Sequence, residues 1–222
     1  MSDFASINGE RIVHAAITIP YRGIWCASVE TASQIPVGRA VTITIANLTL
    51  KGTVFRAGAF AGAKSFLVVG GAGGWSKKPS PQAYANPNGV RKSMVLRDAA
   101  ASVGESVRID QDGPIGVKFV RDGEAPAVQV LRSVLGEAWW VDELGVTQCQ
   151  DRTNVAPIKS AFTVVVWSGA RARFEIATED LASWMPARTF TSETVPESQT
   201  ISLTSIQMEG EGKLRLEVLA AA

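Results

Sequence analysis

Histidine is nearly missing from this 222-residue chain: His14 is the only one, and cysteine occurs twice, as Cys26 and Cys149. A Ser-His-Asp or Cys-His catalytic site would have to recruit His14. It sits inside an alternating apolar run, where a histidine is more often packed or satisfied than reactive. One histidine and two distant cysteines are too few for a His/Cys metal site, and they build no disulfide framework. Both thiols are expected to be buried and reduced, with one long-range bridge as the alternative. Charge of one sign is also missing. The net charge is +1, and the short pairs Lys77-Lys78 and Arg91-Lys92 read as solvated loop charges, so sequence-specific nucleic-acid binding is not expected. No basic-then-apolar leader stands at residues 1–7. The longest apolar runs, such as Phe162 to Trp167, are far too short to cross a bilayer as a helix, so no membrane partner is expected.

Glycine, by contrast, clusters. Phe66-Leu-Val-Val-Gly-Gly-Ala-Gly-Gly-Trp75 carries an apolar run into a glycine turn closed by a tryptophan. Gly71-Ala-Gly73 after a hydrophobic strand has the look of a dinucleotide-binding turn, which needs a helix to open at once so that its N-terminus holds the pyrophosphate. Pro79 and Pro81 remove two backbone donors and push Lys78 and Ser80 toward extended geometry, so no helix can start there. The stretch reads instead as a strand end where backbones approach closely, with Trp75 as anchor and an excursion loop behind it. No cofactor is expected.

Before this turn the chain reads as strands. Asn8-Gly9 is a turn signal. The alternation from Ile12 to Ile19 fits a strand with its odd positions, Val13, Ala15, Ile17 and Ile19, pointing inward. A strand over 23–30 places Trp25, Ala27 and Val29 on one face, and 41–45 with 48–55 reads as a hairpin. Residues 60–64 read as a flexible connection into a strand over 65–69. At least five antiparallel strands before Gly70 predict a small barrel or sandwich. Residues 77–88 read as a loop. The spacing of Val95, Leu96, Ala99, Ala100 and Val103 predicts a helix ended by Gly104, and Pro126 to Gly136 predicts a second. Phe119-Val120 suggests a short strand, and Trp139 to Gln148 a hairpin with its tip at Asp142–Gly145. Residues 154–159 read as a turn. Strands then return: a hairpin over 162–176 with Arg171, Arg173 and Glu175 on its wet face, a connection over 181–186, a polar extended stretch over 188–196, and a final hairpin over 201–219 turning at 209–212. The expected fold is mostly β (α+β), small antiparallel β-barrel domains with a two-helix insertion. The expected division is 1–76, an N-terminal barrel part; 77–152, loop, two short helices and hairpin; and 153–222, a C-terminal β-rich part.

Carboxylates at Glu30, Asp98, Glu105, Asp142 and Glu143 are numerous enough for an acid–base pair, which requires a fixed separation across a cleft. Most fall at turns or helix ends, where carboxylates are routinely solvated or capping. The six tryptophans lie in different elements and read mainly as core anchors. Trp139 and Trp140 are adjacent, so on a strand they face opposite ways and one of them can leave the core. The expectation is a non-enzymatic protein. The interface candidates are Trp75, Lys77, Lys78, Tyr84, Trp139, Trp140 and Glu143. The alternative is a cell-wall-acting or glycan-binding protein using carboxylates such as Asp98 or Asp142, or the exposed member of the Trp139–Trp140 pair.

The order of motifs resembles a known family. Ile7-Asn-Gly-Glu-Arg-Ile-Val, Tyr21-Arg-Gly-Ile-Trp25, Leu50-Lys-Gly-Thr-Val54 and Val68 to Trp75 resemble hub or tail-tip proteins of long-tailed bacteriophages. The resemblance continues through Val95-Leu-Arg-Asp-Ala-Ala, Gly104-Glu105, Leu131 to Thr147 and Asp151-Arg152, covering about residues 7–152. It implies a virion structural protein, made in the bacterial host cytoplasm and located in the tail or baseplate. It also implies a homo-oligomeric ring, a trimer by preference, that closes or extends the tail tube. The implied partners are a distal tail or tube protein and a fibre or tip protein. A near-neutral chain suits such packing, because many like-charged copies around one axis would repel.

Overall fold

Asn8 and Gly9 both adopt positive φ, 52° and 83°, the backbone a tight hairpin demands and these two residues adopt most easily. They join β1 (Ala5–Ile7) to β2 (Glu10–Pro20). The structure, a computed structural model, describes residues 4–60, 63–153, 156–210 and 213–221. The fold is mostly β, with 46% strand and 14% helix. After β2 come β3 (Cys26–Thr31), β4 (Ala40–Ile45), β5 (Leu48–Phe60) and β6 (Ala63–Gly70). They order as β1-β4-β5-β6-β3-β2, and β1 also pairs with β2, so the six strands close into a barrel. Closure removes the free edges that an open sheet would present. The barrel is closed by β1, a strand of three residues that no periodicity in so short a run could have revealed. The strands β5 and β6 run almost to their turn, where the expected connection was longer; its residues 61–62 lie outside the described residues.

Inward alternation holds for Ala15, Ile17 and Ile19 but fails at the start of β2. Ile12 is buried and Val13 is 43% exposed. The register against β3 shifts between Ile12 and His14: a bulge adds one residue and reverses the alternation beyond it. His14 is therefore exposed, across the ladder from Glu30 and Glu209, and not packed.

Between the barrel and the C-terminal strands lies the insertion. A 3-10 turn, Gly74–Ser76, leads to β7 (Gln82–Ala85), α1 (Lys92–Val103), β8 (Val107–Arg108) and β9 (Lys118–Arg121). Next come α2 (Val128–Leu135), β10 (Trp140–Val141) and β11 (Thr147–Gln148). Both expected helices and the hairpin are present. Gly104 ends α1 at φ 78°, the left-handed position that favours glycine. Residues 77–88 are more than a loop, because β7 pairs antiparallel with β9. A core of Trp75, Leu96, Ala100, Leu131 and Trp139 holds this part together.

The last strands are β12 (Phe162–Ser168), β13 (Arg173–Thr178), β14 (Thr189–Phe190), β15 (Gln199–Glu209) and β16 (Lys213–Ala220). They extend the barrel's own ladder, in the order β2-β15-β16-β13-β12. Residues expected to be connection or polar chain carry core here. Phe190 and Trp184 pack with Phe162 and Phe174, with T-shaped ring pairs at 4.9 Å (Phe162–Trp184) and 5.2 Å (Phe174–Phe190). Such aromatic pairs add to simple area burial. Arg173 and Glu175 meet Glu217 and Arg215 across β16, and Arg171 is exposed. The expected turns over 154–159 and 209–212 fall partly outside the described residues, at 154–155 and 211–212.

Candidate assembly interface

The glycine turn holds a carboxyl group, and the chain itself supplies it. Gly71 and Gly73 take φ values of 80° and 70°, which aim successive N–H groups into one concavity, the geometry of an anion nest. Glu105, the residue after the Gly104 cap of α1, fills it. Its Oε2 accepts from Ala72 N at 3.0 Å and its Oε1 from Gly74 N at 2.5 Å. Burial pushes the Glu105 carboxyl above the usual range. The Ala72, Gly74 and Trp75 N–H groups and the Lys77 charge pull the other way. Close approach is equally plain. A Cβ on Gly70 would lie 2.6 Å from Trp25 Nε1, and one on Gly74 2.2 Å from the Val103 carbonyl oxygen. Trp75 is 1% exposed and its indole N–H donates to Thr147 Oγ1 at 2.9 Å. The site where sequence suggested a phosphate cradle is thus a joint that locks α1 to the barrel. From sequence, Glu105 reads as one of the carboxylates and as part of the Gly104-Glu105 motif, without this role. Its signal was its place one residue after a helix-ending glycine, with a nest of donors awaiting an acceptor.

The seven interface candidates divide by burial. Trp75, Tyr84 and Trp139 are buried, and the Tyr84 hydroxyl donates to Asp98 at 3.1 Å. Lys77 is exposed, as is Lys78, which pairs with Glu124 at 3.1 Å. Trp140 and Glu143 are half-buried. Trp139 lies just before β10 and is buried, and Trp140, on the strand, is the one that leaves the core. Its outer face, however, is taken. The Arg152 guanidinium lies 3.8 Å from the Trp140 ring centroid and donates from Nε to the Tyr21 carbonyl at 2.8 Å. This is a cation–π stack in a nearly dry setting. Burial draws the Arg152 pKa down to about 10, with Glu143, Tyr21 and Asp142 opposing it. The whole hairpin is bound to the barrel as well. Lys51 N donates to the Glu143 carbonyl at 2.8 Å, and the Trp25 indole donates to the Asp142 carbonyl at 3.0 Å. Only Leu144, at its tip, stands well out, at 64% exposure.

Three of the candidate carboxylates, Asp98, Glu105 and Asp142, are engaged in holding the fold. Asp142 accepts from Leu144 N and Val146 N on one oxygen and from Gln148 Nε2 on the other, which shapes the hairpin tip. Among the described residues no group of three or more His, Cys, Asp or Glu side chains converges as a metal site. Cys26 and Cys149 are free, the first half-buried and the second buried. Burial carries the Cys149 thiol up to about 12, which suppresses the nucleophilic thiolate. Among the described residues, the longest run of exposed large apolar side chains is Val165-Val166-Trp167 on β12, each half or more exposed. From sequence, Val165 and Val166 read as strand formers and Trp167 as one of the core anchors, and Trp167 is instead half exposed; a bulge between Val164 and Val166 breaks the alternation that would assign these residues to core or surface.

The architecture is one shared with bacteriophage tail proteins. The chain superposes on the 43 kDa tail protein of prophage MuSo2 from Shewanella oneidensis with a TM-score of 0.67 and 11% identity, covering 98% of this chain and 96% of that one. It is similar, at TM-score 0.63 and 10% identity, to a tail protein from Neisseria meningitidis MC58, with 98% and 96% of the chains covered. It is also similar to the c3393 protein of E. coli, a type VI secretion system component described as resembling the T4 tail proteins gp27 and gp5. There the TM-score is 0.67, the identity 9%, and 98% of this chain and 77% of that one are covered. No protein-family model matches the sequence, and no curated protein matches it. At such identities the likeness is one of fold.

Proposed function

We propose that the protein is a non-enzymatic structural component of a phage-type tail, a baseplate hub or tail-tip subunit that assembles into a ring closing or extending the tail tube. The observation that carries this reading is the fold shared over 98% of the chain with phage tail proteins. A closed barrel whose polar groups serve its own joints suits a protein that works by shape. The ring is a trimer on this reading, its neighbours are tube and fibre or tip proteins, and its place is the virion. The 75–88 stretch and the 139–146 hairpin are its contact elements, presenting Lys77, Lys78 and the hairpin tip at Glu143 and Leu144. Trp75, Tyr84 and Trp139 support those elements from behind.

Light scattering on the purified protein, together with its stoichiometry in an assembled particle, tests the proposal. The expected result is a defined oligomer and a fixed small copy number at the tail end. A monomer at high concentration that tail components do not recruit would retire it. A glycan-binding role has less support, since the exposed face of Trp140 is covered by Arg152.

A further inference from the structure

The barrel has no free edges, but strands outside it do among the described residues, β12 and β7 among them. β12 ends the large sheet, with β13 on one side and no strand on the other among the described residues. Among the described residues β7 pairs only with β9. An open edge is a template for another strand, and soluble proteins usually guard one with lysine, an inward charge or a cover. Here the guard is missing. No charged residue occurs from 160 to 170, nor from 79 to 90, in a chain with 22 basic and 21 acidic residues. The charges on β13, the neighbour of β12, are already paired, Arg173 with Glu217 and Glu175 with Arg215. β12 shows solvent Val165, Val166 and Trp167, at 58%, 54% and 50% exposure.

The two edges also differ in a complementary way. Exposed Ala83 and Ala85 lie on the outward face of the β7–β9 ribbon, Ala83 in register with Val120, which is 70% exposed. Tyr84 points the other way and is buried. One edge thus presents large apolar side chains and the other a low floor of alanines beside a valine. In a continued sheet, Val165 and Val166, on the Glu175 side of β12, would pack beside Ala83 and Ala85, while Trp167, beyond the bulge, turns to the Phe174 side.

Resting on the ring reading above, we infer that β12 of one copy pairs edge to edge with β7 of the next copy. The contact is heterologous, two different patches of one chain meeting head to tail, and such contacts generate rings when the rotation closes. Main-chain bonds supply the pairing, and the large-on-small side-chain match sets its register. Charge-free edges fit a second copy better than a charged partner, because each would leave a partner's charge desolvated without a counter-ion.

The test uses two full-length single variants, Ala83→Cys and Val165→Cys, mixed or alone, under oxidation and with a short bismaleimide that tolerates a slip of one residue pair. Covalent dimers in the mixture, and neither in each variant alone nor in wild type, are the expected result. Dimers of V165C alone would show β12 pairing with itself and overturn the assignment of β7. No linkage at all would overturn the pairing while the wild-type oligomer still stands. Val166→Lys, checked by circular dichroism for an intact fold, is expected to shift the oligomer to monomer. An unchanged oligomer in that variant would remove β12 from the interface. The mass of the wild-type protein reads the ring itself, so failure of the ring and failure of this contact are told apart.

Discussion

Glu105 is where one side chain decides how the parts of the chain are joined. Its two oxygens hold the buried Gly74 N–H and the N–H of the exposed residue Ala72. Glu105→Ala leaves both donors unpaired, and the buried unsatisfied one costs about 1–3 kcal/mol. Chemical denaturation is expected to show a loss of at least that size. Glu105→Gln keeps one acceptor oxygen and should lose less. Its behaviour with pH is the sharper check. Burial holds the folded pKa of Glu105 above its ordinary value, so the folded protein binds the proton more tightly than the unfolded chain does. The stability it contributes is fully present below the unfolded pKa and is lost as pH rises through the folded one. The advantage of wild type over E105Q should therefore be largest near about pH 4, close to the unfolded carboxylate pKa, and shrink toward neutrality. A gap that widens with pH would contradict the assignment. The sequence made the glycines legible as a close approach and Trp75 as an anchor. It could not show which acceptor would arrive, because Glu105 is 31 residues from Gly74 and only the fold brings them together.

At the scale of elements, regular segments could be read and irregular ones could not. Helices α1 and α2, the Trp139–Gln148 hairpin and the final hairpin follow from spacing and stop signals, since each repeats a periodic rule over several turns or pairs. The bulge in β2 obeys no such rule. It makes Ile12 the core residue and Val13 the exposed one. Ile12→Ala is expected to cost about 2–5 kcal/mol, as for other buried aliphatic truncations. Val13→Ala should stay within about 0.5 kcal/mol. Equal effects in urea denaturation would mean that the alternation runs unbroken. The start of α1 is a second irregularity. Its N-cap position is Arg91, which makes no side-chain cap. The missing acceptor comes from the following link, where Asp112 accepts from Ser93 N at 2.9 Å and Ser93 Oγ at 2.8 Å. Those bonds lower the Asp112 pKa. Its stabilisation is present above the unfolded carboxylate pKa and lost as pH falls through the folded one. Asp112→Ala should lower the melting temperature at neutral pH and have no effect in acid. No motif reader finds a cap supplied from 19 residues downstream.

Across the whole molecule, the consequential feature is that one strand belongs to two layers. β2 pairs with β3 along one edge; along the other it meets β1 at Glu10–Arg11, which closes the barrel, and then β15, from His14 opposite Glu209 to Pro20 opposite Leu203. The composition predicts a barrel-rich β protein but says nothing of this sharing, because the pairing spans nearly the whole chain. The sharing has a mechanical consequence. Two β layers with a common strand cannot unfold independently, since opening either one exposes the ladder of the other. Ile17, fully buried and in register with Ile206, sits at that seam. Ile17→Ala, at a cost of about 2–5 kcal/mol, should speed hydrogen exchange in β5 and in β16 by the same factor, although neither strand pairs with β2. Exchange measured by mass spectrometry on peptides from each layer would show it. The opposing outcome is faster exchange in barrel peptides with β16 and β13 unchanged, which would mean two separately folding units joined by a weak seam. Equal loosening would instead describe a single rigid block, and rigidity across both layers is what a subunit needs if its open edges are to meet a neighbour at one fixed angle.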